Sequence, residues 1–246
     1  MQMQDKDIHL IGHLEELRRR IIITMCGFIL FLIVSMVFVS DLYRWLIRDY
    51  DGKLAVLGPS DILWVYMTLA CVFAIAGTIP LAAYQIWKFV APALNEEEKK
   101  VTIRFIPGLF LLFIVGICFG YFVLFPIVLG FLTSLSAGEF ETMFTAEKYF
   151  GFMINLTLPF GFIFEMPLVV MFFTRLGILN PARLKKARKV SYFALVVVSI
   201  LITPPDLVSD ILVIVPLLTL YEISVSLSSF IYKKRIPAET GIQAQV

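Results

Sequence analysis

The sequence predicts an all-α polytopic membrane protein with six transmembrane helices, and three observations predict it. Apolar residues make up 59% of the 246 and charged residues only 16%, with a mean hydropathy of +0.88, a balance foreign to soluble globular domains. The apolar residues gather into blocks near the ~20 residues that a spanning helix needs, without the period-2 alternation of an outer-membrane barrel. The cations, in turn, alternate in density from loop to loop. Net charge is only +2, so the total points to neither nucleic acid nor a strongly acidic partner.

The chain reads as one integral membrane domain over 1–246. Residues 1–20 form a cytoplasmic interfacial helix, because Leu10, Leu14, Leu17 and Ile21 recur at helical spacing beside His9, His13, Glu15, Glu16 and three arginines. The first span, 21–39, exceeds a typical cleavable h-region and has no small-x-small cleavage site after it, so it reads as retained. The second, 62–90, contains Pro80, which calls for a kink. The third, 105–132, carries Pro107 and Pro126 and is long enough at ~1.5 Å per residue to tilt or bend in a ~30 Å core. The fourth, 150–173, holds Pro159, Glu165 and Pro167. The fifth, 190–203, is short, and the turn Thr203-Pro204-Pro205-Asp206 leads to the sixth, 211–231, whose purely apolar part is also short. Two short final helices imply local thinning of the bilayer or incomplete spanning. The tail 236–246 reads as flexible.

Assigning alternate loops to alternate sides puts 17 of the 21 Lys and Arg residues on one side, in groups of 4, 4, 6 and 3. The other side receives Arg44, Arg48, Lys53 and Lys148. The positive-inside rule then places both termini in the cytoplasm, and an odd span count would scramble the partition.

The polar residues exclude most enzymes. His9 and His13 are the only histidines, and the chain has no HExxH, no embedded aspartate pair and no Gly-rich phosphate loop, so it reads as a non-enzyme without metal or cofactor. Cys26, Cys71 and Cys118 lie inside apolar blocks as small hydrophobes. Glu15 with Arg19 and Glu16 with Arg20 are i,i+4 pairs worth ~0.2–0.5 kcal/mol each, a structural task that competes with offering a carboxylate to a cationic ligand. Asn95 with Glu98 fits a capping box, yet one cap leaves three consecutive glutamates beside Phe89 unexplained. Glu165 falls inside a span, where an ionisable group costs ~2.5–3.5 kcal/mol on insertion scales, so this stretch faces water or protein. Glu222 is deep enough to matter but can reach toward the cytoplasmic interface.

Four separated motifs resemble the TatC family over essentially the whole chain. They are His13-Leu14-Glu15-Glu16-Leu17-Arg18-Arg19-Arg20, the run from Pro80 through Tyr84-Gln85-Ile86-Trp87-Lys88-Phe89 to Glu98, Phe164-Glu165-Met166-Pro167, and Thr203-Pro204-Pro205-Asp206. The resemblance implies a cupped, glove-like bundle in a bacterial-type cytoplasmic (inner) membrane. It also implies reading of a folded precursor's twin-arginine signal peptide on the cytoplasmic face, with TatA and TatB as partner subunits and the proton-motive force as energy source. Carried over by position, Glu16 and Glu98 face the two arginines, Gln85 and Phe89 support that site, and Glu165 meets a partner helix or a hydrated recess. Pro204, Pro205 and Asp206 belong to a periplasmic turn. The rival is a proton- or ion-coupled small-solute transporter using the midplane glutamate, which calls for a paired inverted repeat of broken helices that the sequence lacks.

Overall fold

This computed structural model describes residues 2–48, 54–93, 99, 103, 105–135, 143–204 and 206–243, with 2–11 and 234–243 as backbone only. Among the described residues every regular element is a helix, and five helical stretches are long and apolar enough to cross a membrane. The chain is therefore a multi-pass membrane protein. It divides into two compact units, Met1–Phe110 and Leu111–Val246.

The first unit is built on α1 (Gln2–Leu46) and α2 (Pro59–Val90). The stretch expected to be an interfacial helix is the beginning of α1, and the good helix formers from Leu14 to Arg20 carry it without interruption into Ile21. α2 starts where sequence chemistry dictates. Pro59 supplies a helix-ready φ, and the Asp61 carboxylate accepts from the amides of Leu57 (3.0 Å) and Gly58 (3.1 Å). Pro80 lies inside α2 without ending it.

The two helices run antiparallel and interlock. A Cβ at Gly27 would collide with Leu81, and one at Gly77 would lie 2.8 Å from the Phe31 ring, so each glycine is the hole for a side chain of the other helix. Toward the opposite end of the pair, Tyr43 meets Tyr66 edge-on at 5.8 Å.

The second unit contains most of α3 (Phe105–Phe119), then a π-helical segment (Gly120–Leu124) that passes directly into α4 (Phe125–Leu135). Pro126 explains the widening, since its ring would strike the carbonyl of Phe122 in a regular helix; the Phe125 amide bonds instead to the carbonyl of Gly120. α5 (Ala146–Phe164) is capped by Thr145, whose hydroxyl accepts from the Lys148 amide, and a turn at Glu165 separates it from α6 (Met166–Arg175). α6 closes on Gly177 at φ 77°, with Ile178 N–H bonded to Phe173 O, a left-handed ending that glycine adopts without strain.

Asn180 caps α7 (Pro181–Ile202), which ends at Thr203 before α8 (Leu207–Gln243). The last helix is not short, as the sequence suggested: Leu207–Lys233 gives 27 residues with spanning character. Asp206 accepts from the Ser209 amide at 2.7 Å and starts the helix four residues before the expected boundary, while Asp210 engages the Thr203 hydroxyl. Ser224 and Ser229 bond back to the carbonyls of Leu220 and Val225, so the serine-rich second half stays helical. The backbone helix also continues to Gln243, through most of the expected flexible tail, although Pro237 and Gly241 lie in that run.

Candidate functional site

Antiparallel packing of α1 on α2 brings Glu16, Arg20, Gln85 and Phe89 together, although 65 residues of sequence separate Arg20 from Gln85. Glu16 and Arg20 are one helical turn apart, and the Glu16 carboxylate accepts from Arg20 Nη2 at 2.5 Å. The other fork of the guanidinium, Nη1, donates to Gln85 Oε1 at 3.4 Å. Gln85 is buried, Arg20 nearly so, and the Glu16 side chain is 33% exposed, so the carboxylate is the member that solvent reaches best. His13 stacks on Phe89 with ring centroids 4.3 Å apart, tying the start of α1 to the end of α2.

Of these residues, Arg20, Gln85 and Phe89 line a cavity of about 250 Å³ with two kinds of wall, while Glu16 lies outside its lining and adjoins it through Arg20. Leu17, Ile21, Met25, Ala82 and Ile86 make it apolar, and Arg20, Thr24 and Gln85 give it a polar edge beneath Phe89. Such a groove accepts an apolar side chain beside a group that hydrogen-bonds a carboxylate. Glu15 stands apart: its side chain is 72% exposed and meets Arg18 at 3.9 Å, in place of the pair with Arg19 that spacing suggested. Glu98, the second expected carboxylate, lies outside the described residues, as does Pro205.

In the second unit, Glu165 occupies the turn between α5 and α6, and its Oε1 is buried without a hydrogen-bond partner. Pro167 at the start of α6 accounts for the break, having no amide to continue the ladder. A buried carboxylate oxygen without a donor is an unusual state for a native interior and leaves an acceptor open. Asp206 follows Pro204 and holds the start of α8 through Ser209, a capping geometry.

One charged cluster escaped the sequence reading. Arg188 Nη2 donates to Glu222 Oε2 at 2.7 Å and the Tyr192 hydroxyl to Glu222 Oε1 at 2.5 Å, so Glu222 is paired within its own unit. The signal was available: Arg188 and Tyr192 are i,i+4 on one helix, and Glu222 stands about as far beyond the Pro-Pro turn as they stand before it.

The chain matches the family described as Sec-independent protein translocase protein (TatC) over residues 12–216. It is 70% identical to the Sec-independent protein translocase protein TatCd of Bacillus subtilis (strain 168) over 242 residues, covering 98% of this chain and 100% of that one. TatCy of the same organism is 40% identical, with 95% and 93% covered. Among solved structures, the crystal structure of the twin arginine translocase receptor TatC superposes with a TM-score of 0.79 at 30% identity, covering 89% of this chain and 99% of that one. With four motifs in order, an all-helical membrane fold and these matches over nearly its whole length, the chain belongs to the TatC family.

Proposed function

We propose that this protein is the receptor subunit of a twin-arginine protein translocase, binding the signal peptide of folded precursors at the cytoplasmic ends of α1 and α2 and organising TatA and TatB for export. The observation that carries the reading is the Glu16–Arg20–Gln85 constellation above the apolar groove, which already holds a guanidinium between two acceptors. Arginine presents a planar fork that a carboxylate and an amide oxygen can accept together, whereas lysine offers a point charge. Glu98 is the second carboxylate of the site and Phe89 its aromatic wall. Exposed ion pairs contribute only ~0.2–1 kcal/mol, so the apolar stretch of the signal supplies most of the affinity by packing along the groove and the adjoining helices.

Glu165 serves a later step, accepting a hydrogen bond from a polar group on a partner's transmembrane helix or from water in a recess beside it. In this reading α7 completes a set of six spans, both termini are cytoplasmic, and the protein resides in a bacterial-type inner membrane with the proton-motive force as energy source. Pro204, Pro205 and Asp206 then form a periplasmic turn. A photoreactive residue at position 17 or 89, lining the groove with Glu16 nearby, tests the receptor assignment. A twin-arginine signal peptide should crosslink there in membranes containing the full-length protein, and a peptide with both arginines changed to lysine should crosslink less. Equal labelling by both peptides, or none by either, would refute it.

A further inference from the structure

We infer that Arg20 is a resident stand-in for the signal's arginine, so that signal binding is an exchange of one guanidinium for another and Arg20 sets the threshold that an incoming cation must exceed. This rests on the receptor reading above. The acceptors given there to the incoming arginine, Glu16 Oε1 and Gln85 Oε1, are both engaged by Arg20, at 2.5 and 3.4 Å. An incoming cation therefore meets a loaded site.

The resident is held imperfectly. Its Nε is buried with no partner, and its bond to Gln85 is near the long limit for a hydrogen bond. A guanidinium has five N–H donors, and leaving one desolvated and unpaired weakens the resident relative to a ligand that satisfies more of them. Release has a short route, because Arg20 lines the open groove and a long flexible side chain can swing its head to water while its methylene stem keeps covering apolar surface.

Exchange converts the chemistry of the fork into selectivity. An arginine that displaces Arg20 replaces forked donors with forked donors, so little hydrogen bonding is lost at the carboxylate or at the amide oxygen. A lysine must evict the same fork and returns an ammonium that cannot span acceptors on two helices in the same plane. The cost of releasing Arg20 is the same whichever cation arrives, so the occupant raises the threshold for both, and lysine, which gains less at the emptied acceptors, falls below it first.

The test uses the full-length protein in membranes, titrating twin-arginine and twin-lysine signal peptides that themselves carry the photoreactive residue and measuring crosslinks to the protein. Arg20→Met removes the competitor while keeping an apolar stem. It should lower the half-saturating concentrations of the twin-arginine and twin-lysine peptides alike, by about tenfold each, and leave the ratio between them unchanged. Arg20→Lys keeps the pair to Glu16 but loses the reach to Gln85, and should move both values in the same direction by less. If Arg20→Met does not fold, the Arg20→Lys result decides alone. Unchanged or weaker twin-arginine binding in a folded variant overturns the exchange and makes Arg20 a positioning residue for Glu16. Absence of twin-arginine crosslinking in the unaltered protein removes the receptor reading itself, and the exchange with it.

Discussion

Glu16 is one-third exposed and paired with a cation, while Glu165 presents a buried oxygen with no donor, a contrast that fits the different steps proposed for the two carboxylates. A solvent-reached carboxylate can trade partners quickly, so Glu16→Ala should weaken signal-peptide binding about ten- to a hundredfold, the loss of one or two charge-assisted hydrogen bonds. Glu98→Ala should do the same, and the double variant should erase the preference for Arg-Arg over Lys-Lys without unfolding the protein. If Glu98 is only a helix cap, its removal instead costs ~0.5–2 kcal/mol of stability and leaves peptide crosslinking intact. Glu165 sits within a span of 30 residues, where a carboxyl group must be hydrated, paired or neutral. Glu165→Gln keeps a donor and an acceptor and should retain more export than Glu165→Ala or Glu165→Leu, while all three still crosslink the signal peptide on the cytoplasmic side. Normal export and assembly with TatA and TatB in Glu165→Leu would remove its proposed role.

At the scale of elements, two glycines one helical turn apart fix how α3 and the π segment pack on α5. A Cβ on Gly116 would stand 2.5 Å from the carbonyl oxygen of Phe160, and one on Gly120 would stand 2.7 Å from Thr157 Cα. Both obstacles are backbone, so no rotamer change relieves them, and Gly116→Val should destabilise the second unit by about 1–3 kcal/mol. Thermal unfolding in detergent should report that loss, with Gly130→Val as control, since no atom lies within 4 Å of a Cβ there. The apolar blocks were readable before the structure, because burial in lipid writes itself into composition. The π segment was less readable: Pro126 announces a disturbance but not whether the chain kinks, breaks or widens. The length of α8 was misread because Asp210 and Glu222 look like boundaries until their partners Thr203, Arg188 and Tyr192 are known. For the same reason the i,i+4 pair of Glu16 with Arg20 was legible while the bond from that guanidinium to Gln85 was not, since long-range pairing leaves no local trace in sequence.

At the scale of the whole molecule, α7 decides how many times the chain crosses. It is 22 residues, about 33 Å at ~1.5 Å per residue, but Arg183, Lys185, Lys186, Arg188 and Lys189 occupy its first half. Five cations cannot enter hydrocarbon, yet their methylene stems can lie along it while the heads reach anionic headgroups. The remaining apolar stretch, 190–202, then crosses about 20 Å, at a modest cost in local thinning. A crossing α7 keeps 17 of the 21 cations on one side, whereas a chain that turned back there would carry Lys233, Lys234 and Arg235 to the side that holds only four. The charge rule thus favours six spans although five helices meet the length and composition expected of a span by themselves. Single cysteines discriminate the two, once Cys26, Cys71 and Cys118 are replaced. An impermeant reagent added outside intact cells should label cysteines at positions 53, 141 and 207, and should reach positions 185 and 238 only after lysis. Labelling of 238 from outside, with 207 protected, would mean that α7 does not cross and that the last helix runs in the opposite direction. Protection of 53 would invert the entire topology, and with it the placement of Glu16 and Gln85 on the side where precursors arrive.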